Sequence, residues 1–207
     1  MEDYRIILRM LREPQYFIEN CFYIRHPIER KVLPKLNSDQ QRVLSAYLPS
    51  HLNNHYVSYG MNRQSGKSTL IAGLALHQAI FNDSDQILMI SPTPEINKSL
   101  YQMIEFGWEK LPDLFKLTMI RHNKSLIEFS NGSVIRFFDS SHDSCFFREN
   151  YFSSFFIQDR ESLTKEYWKE LLTYLIPMLN FPSRVLDLYT TPDLIATNNL
   201  KDLKTWL

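Results

Sequence analysis

Residues 56–69, YVSYG-MNRQSGKST, restrict the fold more than any other part of the chain. An apolar run suited to a strand leads into a short polar loop, and the loop opens a segment with helical spacing. A loop that cradles phosphate needs a glycine at a helix N-terminus, so that backbone N–H groups can curl around the anion. It also needs a lysine for the β- and γ-phosphates and a hydroxyl for Mg2+. Gly66, Lys67 and Ser68 supply those parts in order, flanked by Gln64, Ser65 and Thr69. The pattern G-x-x-x-x-G-K-[ST] is incomplete: its first glycine position holds Met61, and Gly60 falls one residue early. Gly-Lys-Ser alone is a weak signal, and the strand before it and helix after it give it meaning. Arg63 sits inside the loop, where its guanidinium would reach a γ-phosphate as a built-in arginine finger.

Elsewhere short apolar runs alternate with helix-period segments. Strands are expected at Tyr56 to Gly60, Gln86 to Ser91, Ser154 to Gln158 and Arg184 to Thr190. Helices are expected at Lys67 to Phe81, Glu95 to Leu111 and Thr164 to Ile176, the last stopped by Pro177. Asn131-Gly132 between SLIEFS and VIRFFD signals a hairpin with a type I′ turn. The alternation predicts an α/β three-layer sandwich with a mostly parallel central sheet and one antiparallel hairpin. Residues 1–35 read as a helical lead-in and residues 36–207 as the core of one compact unit.

Composition narrows the function classes. The 207 residues are 44% apolar and 14% aromatic, enough for a sizeable core and unlike a disordered chain. Lys and Arg number 23 against 23 Asp and Glu, so a polyanion partner has to be gripped locally rather than by the overall field. Cys21 and Cys145 match no metal spacing and read as reduced thiols. His51 and His55 stand four apart, but no third ligand follows at useful spacing. No apolar run approaches the roughly 20 residues of a membrane span, and the N-terminus lacks a signal-peptide layout.

Several segments taken in order resemble the ATPase domain of the large terminase subunit of tailed bacteriophages, a P-loop NTPase that drives DNA into the capsid. EPQYFIENCFYIRHP, near residues 13–27, looks like that family's opening. KLNSDQ is similar to the segment whose glutamine contacts adenine, which implies Gln40, with Gln41 the alternative register. NRQSGKST resembles the family's deviant Walker A motif, and LPDLFK followed by NGSVIRFF is also similar to it. LYTTPD looks like the coupling motif after the last core strand, at Thr190 and Thr191.

The Walker B element departs from the family pattern of four apolar residues followed by Asp-Glu. Here the run is FFIQDRE. Counted without gaps from Arg148, the magnesium-side acid position falls on Gln158 and the water-orienting position on Asp159. Shifted by one, Asp159 becomes the magnesium-side acid, Arg160 takes the glutamate position, and Glu161 has to serve the water. The gap-free register keeps the strand's apolar count. Arg148 is followed by Glu149 where the family has glycine, which weakens its assignment to DNA contact or signalling.

The resemblance implies an ATP-driven translocase for double-stranded DNA. ATP would lie over Gly66 to Thr69 with Mg2+ held through Ser68 and Asp159, Gln158 being a further candidate. Arg63, Lys67, Asp159 and Glu161 form the catalytic set. The implied partners are double-stranded DNA, a portal protein, a small terminase subunit and further copies in a ring. The implied location is the host cytoplasm and, transiently, the procapsid portal vertex. No acidic cluster remains after the coupling motif, so nuclease activity is not expected. Competing readings are a nucleotide-binding but hydrolytically weak scaffold, motivated by Gln158 and Arg160, and a helicase-like fragment sharing the nucleotide site.

Overall fold

The computed structural model describes residues 2–47, 55–141, 150–178, 183–190 and 196–197. The lead-in begins with α1 (Glu2–Arg12) and α2 (Pro14–Asn20), the second opened by proline at its first turn, where no N–H is missed. It then departs from the all-helical expectation. A two-stranded antiparallel hairpin, β1 (Ile24–His26) and β2 (Arg30–Val32), follows, closed by Arg30 at φ 63°. Next come α3 (Ser38–Tyr47), β3 (His55–Met61), α4 (Lys67–Phe81), β4 (Gln86–Ser91) and α5 (Pro94–Glu109). The remainder is β5 (Met119–Asn123), β6 (Leu126–Phe129), β7 (Val134–Asp139), β8 (Ser154–Gln158), α6 (Lys165–Met178), β9 (Arg184–Thr190) and β10 (Ala196–Thr197). Pro177 lies inside the last turn of α6 rather than ending it.

Eight of these strands form one sheet in the order β10-β3-β9-β8-β4-β7-β6-β5. The five central strands from β3 to β7 run parallel, and β10, β6 and β5 add antiparallel edges. Alternation along each buried strand explains the three layers. Ile87, Met89, Phe156, Leu186 and Leu188 pack on the side covered by α2 to α5. Leu88, Ile90, Phe155, Ile157 and Val185 pack on the opposite side against Trp168, Leu171, Leu172 and Leu175 of α6. Strands buried on both faces read as continuous apolar runs, as QILMIS does.

The Asn131-Gly132 hairpin forms, with a different turn from the one expected. Only Gly132 has positive φ, at 81°; Gly132 N donates to Phe129 O at 2.9 Å and Phe129 N to Ser133 O at 2.9 Å. This is the three-residue loop in which a left-handed glycine follows a tight turn. Asn131 is diverted because its Nδ2 donates to Ala79 O and Asn82 O, both at 2.9 Å, closing the end of α4. At the other face of α4, His77 is buried between Phe17 and Phe81, its Nε2 2.9 Å from Met10 O. Burial holds its imidazole down to about 4, against the opposing pull of the Met10 and Leu11 carbonyls.

Candidate nucleotide site

The parallel strands β3, β8 and β9 end on one edge, the position where open α/β sheets bind ligands. The loop between β3 and α4 rises over that edge. Gly66 adopts φ 81° and ψ 26°, a conformation open to glycine at no steric cost, and Gln64 shares the region at φ 62°. The first N–H groups of α4, from Lys67 to Thr69, have no intrahelical partner and carry the positive end of the helix dipole. A cleft of about 670 Å³ opens there, lined by the loop from Arg63 to Thr69 and by Gln158, Asp159, Glu161, Ser162 and Thr190.

The polar groups in this cleft engage one another. Lys67, 8% exposed, pairs with Asp159 Oδ1 at 2.7 Å and donates to the Thr190 hydroxyl. Gln158 Nε2 donates to Ser68 Oγ at 2.9 Å and to Asp159 Oδ2 at 3.1 Å. Asp159 turns the chain out of β8 in the left-handed conformation, φ 53° and ψ 45°, and its N–H donates to Leu188 O at 2.9 Å. Glu161 Oε1 accepts the Thr190 N–H at 3.0 Å. Arg63 is exposed and lines the cleft. Thr191, the other coupling candidate, lies outside the described residues, as does Arg148.

The two glutamines expected near adenine are both committed to backbone. Gln41 Nε2 donates to Leu36 O at 3.1 Å. Gln40, buried, belongs to a capping box with Asn37: its Oε1 accepts Asn37 N–H at 2.9 Å, and Asn37 Oδ1 accepts Gln40 N–H at 3.0 Å. The remaining ends of this pair reach the phosphate loop. Gln40 Nε2 donates to Gly66 O and Asn37 Nδ2 to Ser65 O, each at 2.9 Å. Asn37 was missed from sequence, although Asn-Ser-Asp-Gln ahead of an apolar run is a readable capping signal.

Behind the cleft, on the α6 side, lies a buried polar cluster also missed from sequence. Asp187 of β9, 0% exposed, accepts from Tyr56 and Ser58 of β3 through Oδ2, each at 2.8 Å, and pairs with Arg160. Its Oδ1 has no hydrogen-bond partner among the described residues. Burial pushes this carboxyl up, against the pull of Arg160 and the two hydroxyls. The Tyr56 hydroxyl is pushed well above its ordinary range, by burial first and then by Asp187. The Arg160 guanidinium lies over Tyr189 at 4.6 Å and Trp168 at 5.2 Å. The readable signal was an aspartate inside the apolar run RVLDLYT.

Among the described residues no group of three or more His, Cys, Asp or Glu gathers as a metal cage. Ser68 and Asp159 offer the oxygen donors a hard divalent cation prefers, so an ion here would depend on further oxygens brought by a phosphate ligand. No helix among the described residues is long and apolar enough to cross a membrane.

Residues 59–156 match the family model for the N-terminal region of T4likevirus-type terminase large subunits. Among solved structures, the chain is similar to the large terminase of bacteriophage HK97, at 14% identity and a TM-score of 0.68, over 87% of this chain and 38% of that one. It is similar to the large terminase ATPase domain of Thermus phage P74-26, at 14% identity and a TM-score of 0.52, over 77% of this chain and 72% of that one. The large terminase of a thermophilic bacteriophage, solved in complex with ADP, aligns at 11% identity and a TM-score of 0.51, over 74% of this chain and 38% of that one. The chain thus spans 38% of the HK97 protein and of the ADP-bound one. Over residues 59–156 the chain is thus similar in sequence to the N-terminal region of phage large terminases, and over most of its length it shares the fold of their ATPase domains.

Proposed function

We propose that this chain binds ATP at the Gly66–Thr69 loop and hydrolyses it as the ATPase domain of a viral DNA-packaging motor. One observation carries the reading: Lys67, Ser68, Asp159 and Thr190, drawn from three strand ends, converge on a single cleft at a helix N-terminus. Lys67 would leave Asp159 and Thr190 to meet the β- and γ-phosphates, with the loop N–H groups supplying the rest of the anion seat. Ser68 would meet Mg2+, which when bound with nucleotide would neutralise charge on the phosphates, and Asp159 would reach the ion only through water. Asp159, released from Lys67, orients the attacking water and accepts its proton; the γ-phosphorus gains that oxygen and loses its bond to the bridging oxygen, and ADP leaves with the electron pair. Arg63, on the cleft rim, stabilises the charge that develops on the transferred group.

Geometry favours the gap-free Walker B register. Gln158 is the residue that meets Ser68, while Glu161 is engaged by the Thr190 backbone. The Lys67–Thr190 contact supports a coupling role for the β9 end, because a phosphate that draws Lys67 toward the loop would pull it away from Thr190. Translocation would use further copies in a ring on a portal, with a small subunit and salt-sensitive contacts to the DNA backbone.

The test is phosphate release from the purified chain, compared with Lys67→Ala. Turnover that disappears in the variant supports the motor. Tight ATP binding without turnover favours the second reading, a nucleotide-dependent scaffold, which the neutral Gln158 motivates. Absence of ATP binding refutes both.

A further inference from the structure

Gln158 makes its contact with Ser68 in the sense opposite to a carboxylate's. A carboxylate beside a serine can only accept its proton, which leaves the serine oxygen's lone pairs for a cation. Here an amide N–H donates to Ser68 Oγ at 2.9 Å. The orientation of that amide is dictated by its neighbour: Asp159 Oδ2, 3.1 Å away, is an acceptor and admits only the NH2 side. Gln158 is 5% exposed, and its Oε1 is buried with no hydrogen-bond partner among the described residues. The amide is therefore held in this sense by its two acceptors. One lone pair of Ser68 is engaged, and its hydroxyl proton is left for an acceptor in the cleft that Ser68 lines.

Charge acts in the same direction. Lys67 is matched one to one by Asp159, and position 158 adds nothing. A carboxylate at 158 would stand beside Asp159 as a second negative charge, and a metal-free triphosphate would meet both. With glutamine there, the bare triphosphate meets less repulsion, a divalent ion gains less attraction, and Ser68 is set to donate to a phosphate oxygen.

We propose that Gln158 frees nucleotide binding from the divalent ion, so that the loop takes a nucleoside triphosphate about equally well with and without Mg2+. This rests on the ATP-binding reading above. The measurement is calorimetric titration of the full chain with ATP, in Mg2+ and in excess EDTA. For the natural sequence the two dissociation constants should agree within about threefold. In Gln158→Glu, which keeps side-chain length and adds the charge, affinity in EDTA should fall about tenfold or more relative to Mg2+, or about 1.4 kcal/mol. Gln158→Asn, a neutral amide, should keep the small ratio, and it decides the matter with the natural chain if the glutamate variant does not fold by circular dichroism. Binding by the natural chain only in Mg2+ overturns this inference and leaves the ATP-binding reading intact. An equally small ratio in a folded Gln158→Glu overturns it as well. No binding in either condition removes the ATP-binding reading and this inference with it.

Discussion

Replacing Arg160 with methionine should expose how the turn after β8 is held. The side chain is 24% exposed and Asp187 is 0% exposed, so the pair lies largely out of water. Removing one member of a buried pair costs about 3–5 kcal/mol, because the other charge is left uncompensated. Tyr56 and Ser58 still donate to Asp187 Oδ2, which puts the expected loss near the lower end, about 3 kcal/mol at pH 7.5. The pH dependence is the sharper signature. Burial already raises the Asp187 carboxyl in the folded protein, with Arg160 the largest opposing influence, so the variant must raise it further. A carboxyl raised on folding contributes stability that is full below its unfolded value and is lost as pH rises through the folded one. In the variant that loss therefore extends to higher pH. The stability difference from the natural chain should shrink as pH falls from 7.5, by up to about 1.4 kcal/mol per pH unit. His77 titrates in both proteins and cancels. Urea unfolding at pH 5.5, 6.5 and 7.5, with unchanged m-values, reads the difference directly. A penalty under about 1 kcal/mol, or one that stays flat across this range, would refute the account of a buried charge that depends on Arg160.

Two further outcomes follow from the same geometry. Gly66→Ala places a methyl 2.6 Å from Gln40 Nε2 in a backbone at φ 81°. The left-handed conformation alone should cost about 1–2 kcal/mol. Thermal melts and ATP titration should both register it, and an alanine variant matching the natural chain in both would show that the Gln40 clasp is dispensable. For His77, held down to about 4, stability is full above the ordinary imidazole range and is lost as pH falls through the folded value. About 3 kcal/mol should disappear between pH 6.5 and 4, and His77→Gln, which can still donate to Met10 O, should lack most of that acid-side decline.

Much of the layered core was legible because buried parallel strands are short apolar runs bounded by polar punctuation. β4, β8, β9 and α4 begin and end where their sequences indicate. β5 was not legible: in Met-Ile-Arg-His-Asn four of five residues are exposed, so no burial alternation marks it as a strand. β1 and β2 hid for the same reason, being arginine-, lysine- and histidine-rich, with their turn made by a non-glycine residue at positive φ. At the site, Gly66, Lys67 and Ser68 announce themselves because the anion seat is local in sequence. The meeting of Gln158 with Ser68 spans ninety residues and depends on where β8 ends, which residue counting left open between two registers. The Asp187 cluster joins β3, β9 and the turn after β8, whose adjacency follows from sheet order, information absent from any single segment.

The position of β9 in the sheet limits how that strand can move. It lies between β3 and β8, paired residue by residue with each, and its two faces differ sharply: Leu186 and Leu188 on one, Asp187 on the other. A slip of one residue would turn the aspartate into the apolar layer under α2 to α5 and two leucines toward the Arg160 cluster. A one-residue slide is therefore closed to this strand. In the proposed motor, release of Thr190 by Lys67 would therefore reach β3 and β8 through the hydrogen bonds of the sheet and not through a one-residue change of register.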